Sequence, residues 1–176
     1  LIDIYKEKRI SILDIGTGSG CIIVSLLGSL KNSQGMGIDI SKSATTTARK
    51  NGIRHNLSTR LKFLNRSLND IFNKKFDLIV SNPPYIKRND IKNLIDDVKN
   101  FEPKIALDGG NDGLDLIKKV IYKSKYILKT NGTLAIEIGN EQIKKVSNIL
   151  IDNKFRIKEL VKDYKNNVRC VISNLR

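Results

Sequence analysis

The tetrapeptide Asn82-Pro83-Pro84-Tyr85 carries the clearest chemical signal in the sequence, and it directly follows an apolar run, 76–81, that predicts a β-strand. The two prolines fix their own φ angles, lack N–H donors and hold Asn82 outside the helical region, so the segment is a rigid turn rich in acceptors. The Asn82 side-chain oxygen and the Pro83 carbonyl can accept both hydrogens of a planar NH2 group, beside the flat ring of Tyr85. An amide or a nucleobase amine fits this description. The simpler alternative is a turn that only ends a strand.

A glycine-rich loop, Gly16-Thr17-Gly18-Ser19-Gly20, lies between a predicted strand at 10–15 and a helix-like run at 21–27. Glycines at this junction permit positive φ and let a ligand approach the backbone, next to the free N–H groups of a helix N-terminus. Cys21 stands where the dinucleotide fingerprint requires glycine, which disfavours a dinucleotide. Asp14 adds a carboxylate at the strand end, and a carboxylate suits a cationic ligand better than a pyrophosphate.

Asp39 ends a second predicted strand, 34–39, about twenty residues past the glycine loop. A carboxylate at this place can accept hydrogen bonds from both hydroxyls of a ribose. A ribose, a positive centre and a tail without phosphate together describe S-adenosylmethionine. The alternative is that Asp39 only precedes the N-terminus of the next helix at Ser41.

Together these motifs resemble those of class I methyltransferases that act on nitrogen, and more closely those of the HemK/PrmC family of release-factor glutamine N5-methyltransferases. Four blocks in the family's order, spanning most of the chain, carry the closer resemblance: residues 12–20, residues 77–86, Phe101-Glu102-Pro103 with 106–110, and Asp112-Gly113-Leu114. The third block distinguishes this family from nucleic-acid adenine methyltransferases that share the proline turn. Its Ala-Leu-Asp-Gly-Gly form is more similar to the release-factor branch than to ribosomal-protein glutamine methyltransferases.

The resemblance implies which residues bind the cofactor S-adenosylmethionine and which hold the acceptor glutamine. The cofactor residues are expected to be Asp14, Gly16, Thr17, Gly18, Ser19, Gly20, Asp39, Ile40, Ser67, Leu68 and Asn82. The acceptor residues are expected to be Asn82, Pro83, Pro84 and Tyr85. Family members usually have an acid and an aromatic residue beside adenine where this chain has Ser67 and Leu68. Leu68 can cover one adenine face, but weaker stacking predicts a lower cofactor affinity.

The implied reaction is a direct transfer of the sulfonium methyl group to an amide nitrogen, with Asn82, Pro83 and Tyr85 as the catalytic residues. An amide nitrogen is a poor nucleophile because its lone pair is delocalised into the carbonyl. Accepting both of its hydrogens orients the nitrogen and favours the charge that develops on it, while Tyr85 excludes water. No side chain is an evident base. Glu137, at the end of the fifth strand, could lie near the site, but its simpler role is a loop hydrogen bond, so it is not counted among the catalytic residues.

The remaining pattern predicts an α/β domain. Predicted strands lie at 10–15, 34–39, 60–64, 76–81, 132–138, 155–161 and 168–174, and predicted helices lie near 19–29, 42–55, 90–100, 112–128 and 141–153. Their alternation implies mostly parallel strands, and the last two strands predict an antiparallel hairpin at one edge. By resemblance, this is the Rossmann-like seven-stranded sheet of class I methyltransferases, in which ligands bind at the carboxyl ends of the strands.

We expect residues 1–176 to be the catalytic domain of a longer protein. Family members carry a helical substrate-recognition domain before the first strand, where this chain has nine residues and begins with Leu1. The expected partner is a peptide-chain release factor, methylated in its Gly-Gly-Gln loop by a monomeric enzyme. No apolar stretch of membrane length and no secretory signal is present in the sequence, so the cytoplasm or an organellar matrix is the expected location.

The formal net charge of +14 raises the alternative of a nucleic-acid enzyme. The excess is mostly lysine scattered along predicted helices, which is typical of a solvated face, so direct nucleic-acid binding is not expected. No metal site is predicted, because Cys21 and Cys170 lack metal-ligand spacing; both are expected to be buried thiols. The open alternatives are an N6-adenine methyltransferase acting on DNA or RNA, a ribosomal-protein glutamine methyltransferase, and a non-catalytic cofactor-binding module.

Overall fold

The computed structural model describes residues 1–71, 74–93 and 107–176. In these ranges the helices are α1 (Ile2–Tyr5), α2 (Cys21–Ser29), α3 (Lys42–Arg54), α4 (Asp115–Ile127) and α5 (Ile143–Asp152). The strands are β1 (Ser11–Ile15), β2 (Gln34–Asp39), β3 (Leu61–Asn65), β4 (Phe76–Ser81), β5 (Leu128–Glu137), β6 (Phe155–Lys162) and β7 (Val168–Leu175). Short 3-10 helices span Leu68–Asp70 and Arg88–Asn93.

The strands form one seven-stranded sheet in the order β3-β2-β1-β4-β5-β7-β6. Strands β1 to β5 pair in parallel, whereas β7 runs antiparallel to both β5 and β6. The predicted fold class is therefore confirmed, including the C-terminal antiparallel hairpin. Within that hairpin β7 lies inside the sheet, next to β5, and β6 forms the edge.

Three helices begin later than the sequence pattern predicts, and a residue with positive φ explains each difference. Gly20 (φ 81°) directly precedes α2, while Gly113 (φ 74°) and Glu141 (φ 66°) lie just before α4 and α5. A residue with positive φ cannot belong to a right-handed helix, so each helix begins only after it. The spacing of apolar residues does not reveal which residues have a positive φ.

Two further differences concern β5 and the segment after β4. Strand β5 begins at Leu128 rather than at 132, and its pairing with β4 shifts register between Phe76 and Leu78. Of the helix predicted at 90–100, the described part is a 3-10 helix that ends at Asn93, and the remainder lies outside the described residues. The short helix α1 was not predicted.

Helices cover both faces of the sheet and create two apolar clusters. Along β1 the side chains alternate between faces, so Ile12 and Leu13 belong to different clusters. Leu13 packs in the cluster that contains the buried side chains of α4 and α5. Ile12 packs in the cluster that contains those of α2 and α3, together with Tyr5 of α1. The site at the strand ends thus rests on a sheet buried on both sides.

The ring of Phe63, on β3, packs against glycines from three different elements. A Cβ atom at Gly37 of β2 would lie 2.6 Å from the Phe63 ring, and one at Gly20 would lie 2.9 Å from it. A Cβ atom at Gly52 of α3 would lie 3.2 Å from the same ring. Positions 37 and 20 therefore need glycine for close approach, whereas a Cβ atom at position 52 would make a tight contact with the ring. The aromatic ring holds the end of the glycine loop against β2 and α3.

We predict that Gly37→Ala lowers the free energy of unfolding by about 1–3 kcal/mol, because the added methyl group overpacks the contact with Phe63. Gly28→Ala is the matched control, since a Cβ atom there meets nothing within 4 Å. Gly28 lies in α2, so this control should raise the free energy of unfolding by about 0.5–1 kcal/mol. Urea unfolding of both variants checks the prediction, and equal stabilities would contradict it.

Candidate functional site

The pairing of β1 with its two neighbours brings three sequence motifs to one edge of the sheet. Ile15, the last residue of β1, lies opposite Ile38 of β2 and Ser81 of β4. The glycine loop, Asp39 and Asn82 come directly after Ile15, Ile38 and Ser81 respectively, and Asp39 is the last residue of β2. Because parallel strands end at the same edge, these residues meet where ligands bind in open α/β sheets.

Hydrogen bonds fix the glycine loop to the end of β2. The N–H groups of Gly16 and Thr17 both donate to the Ile38 carbonyl, each at 2.9 Å. The N–H of Gly18 donates to Asp39 Oδ2 at 2.9 Å, and that of Ser41 donates to Asp39 Oδ1 at 2.8 Å. The Asp39 carboxylate thus joins the loop to the residue that caps α3, and each oxygen keeps a further lone pair for a ligand.

Asp14 is a buried carboxylate at the base of the glycine loop. Its side chain is 1% exposed, and its Oδ2 accepts a hydrogen bond of 2.7 Å from the Thr17 hydroxyl. Its Oδ1 has no hydrogen-bond partner among the described residues. Burial raises the pKa of Asp14 to about 6; the Thr17 hydroxyl and the Ile23 N–H offset part of the rise, and Asp39 adds to it. An incompletely compensated negative charge therefore lies near the loop.

A cavity of about 540 Å³ joins the glycine loop to the proline turn. Its lining consists of Gly16, Thr17, Gly18, Ser19, Cys21, Ile22, Asn82, Pro83, Pro84, Tyr85, Ile86 and Leu107. Cβ atoms at Gly16 and Gly18 would meet nothing within 4 Å among the described atoms, so this part of the loop leaves open space for a ligand. Open glycines and the orphaned oxygen of Asp14 fit a cationic nucleoside such as S-adenosylmethionine.

The proline turn presents acceptors that no protein group occupies in the described ranges. Asn82 is exposed and Pro83 is buried, and neither the Asn82 side chain nor the Pro83 carbonyl has a hydrogen-bond partner among the described residues. The turn begins where the Ser81 hydroxyl donates to the Ile15 carbonyl at 2.8 Å. Two free acceptors on a rigid backbone can therefore receive the hydrogens of an NH2 group.

Arg169 and Glu137 hold the side chain of Tyr85. Arg169 Nη2 donates to the Tyr85 hydroxyl at 2.8 Å, and that hydroxyl donates to Glu137 Oε1 at 3.3 Å. The Arg169 guanidinium also lies 5.3 Å from the centre of the Tyr85 ring. Burial and, next, Glu137 raise the pKa of Tyr85, while Arg169 opposes the rise, so the phenol stays protonated at neutral pH. Tyr85 is therefore a fixed wall and not a base.

Sequence reasoning missed Arg169 entirely and left Glu137 outside the site. The register of the antiparallel pair explains the contact, because Cys170 of β7 lies opposite Glu137 at the end of β5. The signal that could have identified them is an arginine in the last strand, together with an acid at the end of β5. That signal is usable only once β7 is known to pair with β5.

Several residues predicted to bind the cofactor do not line this cavity. Ser67 caps the 3-10 helix that follows β3, where its hydroxyl accepts from the Asn69 N–H at 3.2 Å. Leu68 is 9% exposed and packs in the core, whereas Ile40 is 60% exposed next to Asp39. Asp39 and the buried Asp14 and Gly20 do not line the cavity either. The contacts of all these residues with a cofactor stay predictions.

The cysteines require one correction. Cys21, expected to be buried, is exposed at the start of α2 and lines the cavity, because the N-terminal turn of this helix faces the ligand space. Cys170 is partly buried, and burial raises the pKa of its thiol to about 11. Within the described ranges, no group of three or more His, Cys, Asp or Glu residues could hold a metal ion. No helix in those ranges is long and apolar enough to cross a membrane.

The third block of the family resemblance lies only partly in the described structure. Phe101-Glu102-Pro103 and Ala106 lie outside the described residues. Of the remainder, Leu107 lines the cavity, and the Gly109 N–H donates to the Ile86 carbonyl at 2.8 Å. The described part of the block therefore contacts the chain just after the proline turn.

Comparison with known proteins identifies a methyltransferase domain. A family model described as a methyltransferase domain matches residues 6–173. A release factor glutamine methyltransferase of Fusobacterium nucleatum is 43% identical over 98% of this chain and 49% of its own length. One of Agrobacterium fabrum is 40% identical over 94% of this chain and 57% of its own length. The chain thus spans about half the length of these curated relatives.

The fold comparison agrees with the sequence comparison. The crystal structure of a ribosomal protein L11 methylase from Lactobacillus delbrueckii subsp. bulgaricus superposes with a TM-score of 0.70 over 99% of this chain and 75% of that one, at 21% identity. At this identity the likeness concerns the fold alone. The match of the family model over nearly the whole chain, with relatives at about 40% identity, confirms the predicted resemblance: the chain belongs to the family of methyltransferase domains and is of the HemK/PrmC type.

Proposed function

We propose that this domain transfers a methyl group from S-adenosylmethionine to the side-chain amide nitrogen (N5) of a glutamine in the Gly-Gly-Gln loop of a peptide-chain release factor. The observation that carries the proposal is the single cavity that joins an open glycine loop to the free acceptors of the proline turn. The names of the relatives, release factor glutamine methyltransferases, support the choice of acceptor.

The residues at the cofactor end match the chemistry of S-adenosylmethionine. The two oxygens of Asp39 each accept one backbone N–H and retain lone pairs for the ribose hydroxyls. Gly16 and Gly18 allow close approach of the cofactor to the backbone. The negative charge of buried Asp14 favours a cation over a phosphate near the loop. When bound, the cofactor supplies an electrophilic methyl group.

At the acceptor end, the Asn82 oxygen and the Pro83 carbonyl would each accept one hydrogen of the glutamine NH2 group. This arrangement holds the nitrogen lone pair toward the methyl group and stabilises the positive charge that develops on nitrogen. Bound S-adenosylmethionine would supply the methyl group, Asn82 and Pro83 would hold the nitrogen that receives it, and that nitrogen would lose one proton to solvent. Tyr85, kept protonated, excludes water from one side without taking this proton.

Glutamine and adenine both present a planar NH2 group, so the turn alone does not choose between them. Similarity to release factor glutamine methyltransferases at about 40% identity favours glutamine, and no contact in the described ranges favours a nucleobase. We further propose that residues 1–176 are the catalytic domain of a longer protein, since the chain spans about half of each of these relatives. We also propose that the protein is a monomer and that it acts in the cytoplasm or in an organellar matrix.

The acceptor can be tested with radiolabelled S-adenosylmethionine and the full-length protein. The label is offered in parallel with a release factor, with the same factor carrying alanine in place of the loop glutamine, with duplex DNA and with RNA. We expect incorporation only into the factor that retains the glutamine. Incorporation into nucleic acid, or equally into both forms of the factor, would refute the proposed acceptor.

We predict that Asn82→Ala lowers turnover by about 10²–10³ while the melting temperature changes little. The side chain is exposed and has no partner among the described residues, so its loss should not disturb folding. Asn89→Ala, at an exposed position of the 3-10 helix after the turn, is the matched control and should leave turnover unchanged. Near-normal turnover of Asn82→Ala would remove this residue from the mechanism.

A second prediction concerns Asp14, whose pKa of about 6 lies above the ordinary 3.8. A raised pKa means that the folded state binds the proton more tightly, so stability falls as pH rises from about 4 through 6. Asp14→Asn should therefore stabilise the protein at pH 7.5 by about 2–3 kcal/mol, but hardly at pH 4. The same change should weaken S-adenosylmethionine binding at least ~tenfold, because the charge is lost.

Thermal unfolding between pH 4 and pH 8, with calorimetric titration of S-adenosylmethionine, tests this prediction. Asp152→Asn, an exposed change at the end of α5, is the control for charge removal. A stability difference that is independent of pH would contradict the assignment of the buried charge to Asp14. Unchanged cofactor affinity would assign Asp14 a structural role only.

A further inference from the structure

We propose that Gln142 is a positioning residue of the acceptor site, and that its side-chain amide holds the Asn82–Tyr85 turn in the orientation that methyl transfer requires. The inference rests on the proposed function, because it takes this turn to be the element that binds the acceptor amide. Gln142 does not line the cavity that joins the glycine loop to the turn. Its effect would therefore pass through the turn and not through contact with the reacting atoms.

The carboxamide of Gln142 joins three loops through three hydrogen bonds. Its Nε2 donates to the Tyr85 carbonyl at 3.0 Å and to the Gly113 carbonyl at 3.1 Å. Its Oε1 accepts from the Gly139 N–H at 2.8 Å. The side chain is buried, with 8% of the residue exposed, so these bonds are shielded from water. Both amide hydrogens are used. Among side chains, only the carboxamide of glutamine or asparagine combines two N–H donors on one nitrogen with an acceptor oxygen.

The proline turn needs such an external donor. Pro83 and Pro84 lack N–H groups, and no backbone hydrogen bond between Asn82 and Tyr85 closes the turn in the described structure. At its start it is fixed by β4, which ends at Ser81. At its end the Tyr85 carbonyl receives its hydrogen bond from Gln142, and the Ile86 N–H donates to the Leu107 carbonyl at 3.3 Å. Gln142 is thus the side chain that ties the end of the turn to the loop after β5.

Close packing around Tyr85 indicates that the contact is specific. A Cβ atom at Gly113 would overlap the Tyr85 carbonyl and lie 2.7 Å from Gln142 Nε2. A Cβ atom at Gly139 would lie 3.0 Å from the Tyr85 ring and 3.1 Å from Gln142 Oε1. A Cβ atom at Gly109 would lie 2.9 Å from Tyr85 Cα. These three glycines, two in the loop before α4 and one in the loop after β5, therefore admit Tyr85 to the place where Gln142 reaches it.

Gln142 has no competing role in its own helix. It occupies the N-cap position of α5, but its side chain makes no capping hydrogen bond in the described structure. Its hydrogen-bonding capacity goes instead to the loops that contain Tyr85, Gly113 and Gly139. A substitution at this position therefore tests the connection to the turn without removing a helix cap.

Two substitutions separate the hydrogen bonds from the volume of the side chain. Gln142→Glu preserves the shape and the acceptor for the Gly139 N–H, but it replaces the donor to Tyr85 with an oxygen that faces two carbonyls. Gln142→Met removes all three hydrogen bonds without adding a charge. Gln34→Glu is the matched control, because Gln34 is exposed at the start of β2, at the opposite end of the strands from the site.

The experiment measures three quantities in the full-length protein. They are kcat and KM with a glutamine-containing release factor, the Kd of S-adenosylmethionine by calorimetry, and hydrogen exchange at the backbone amides of Ile86 and Gly139. We expect both Gln142 variants to lower kcat by about 10–100-fold, since small displacements of a reacting group have effects of this size. The cofactor Kd should change by less than about threefold, and exchange at Ile86 should accelerate. The Gln34→Glu control should match the wild type.

A kcat within twofold of the wild type, in a variant whose Gly139 amide exchanges faster, would overturn the inference. A loss of cofactor affinity by the same factor as kcat would also overturn it, because that result indicates general loosening of the domain. Failure of the proposed function has a different signature: the wild type itself would methylate no glutamine. Hydrogen exchange would then still decide the structural claim, and unchanged exchange at Ile86 in both Gln142 variants would refute it.

Discussion

The parallel register of β1 with β2 and β4 is the constraint on which the site depends. Ile15 lies opposite Ile38 on one side and Ser81 on the other, so the three segments that follow these strands must meet at one edge. Each segment carries one part of the chemistry: a glycine loop, a carboxylate and a pair of acceptors. A shift of register in either pairing would separate the motifs even if every local structure were retained.

The two ends of the cavity have different physical requirements. At the proposed cofactor end, glycines leave open space, and buried Asp14 keeps a charge that lowers stability above pH 6. A destabilising group of this kind is typical of a functional site, where ligand binding compensates for it. At the proposed acceptor end, Asn82 and Pro83 must keep their oxygens free. The prolines stiffen the turn itself, so groups outside the turn have to fix its orientation.

Those outside groups come from the C-terminal half of the chain. Arg169 of β7 and Glu137 of β5 hold the Tyr85 hydroxyl, and Gln142, after β5, holds the Tyr85 carbonyl. The antiparallel insertion of β7 next to β5 makes the first of these contacts possible. The last strands of the sheet therefore support the proposed acceptor site as well as the core, although they carry none of its recognisable motifs.

Local sequence by itself determined the fold class, the glycine loop, Asp39 and the proline turn. Glycines and consecutive prolines restrict φ within a few residues, and alternating apolar runs define strands and helices without knowledge of distant contacts. Tertiary structure alone decided that Leu68 packs in the core, that Cys21 lines the cavity and that Arg169 reaches Tyr85. These outcomes depend on which strands are neighbours and how they are registered. That information lies in long-range packing, which the spacing of residues along the chain does not record.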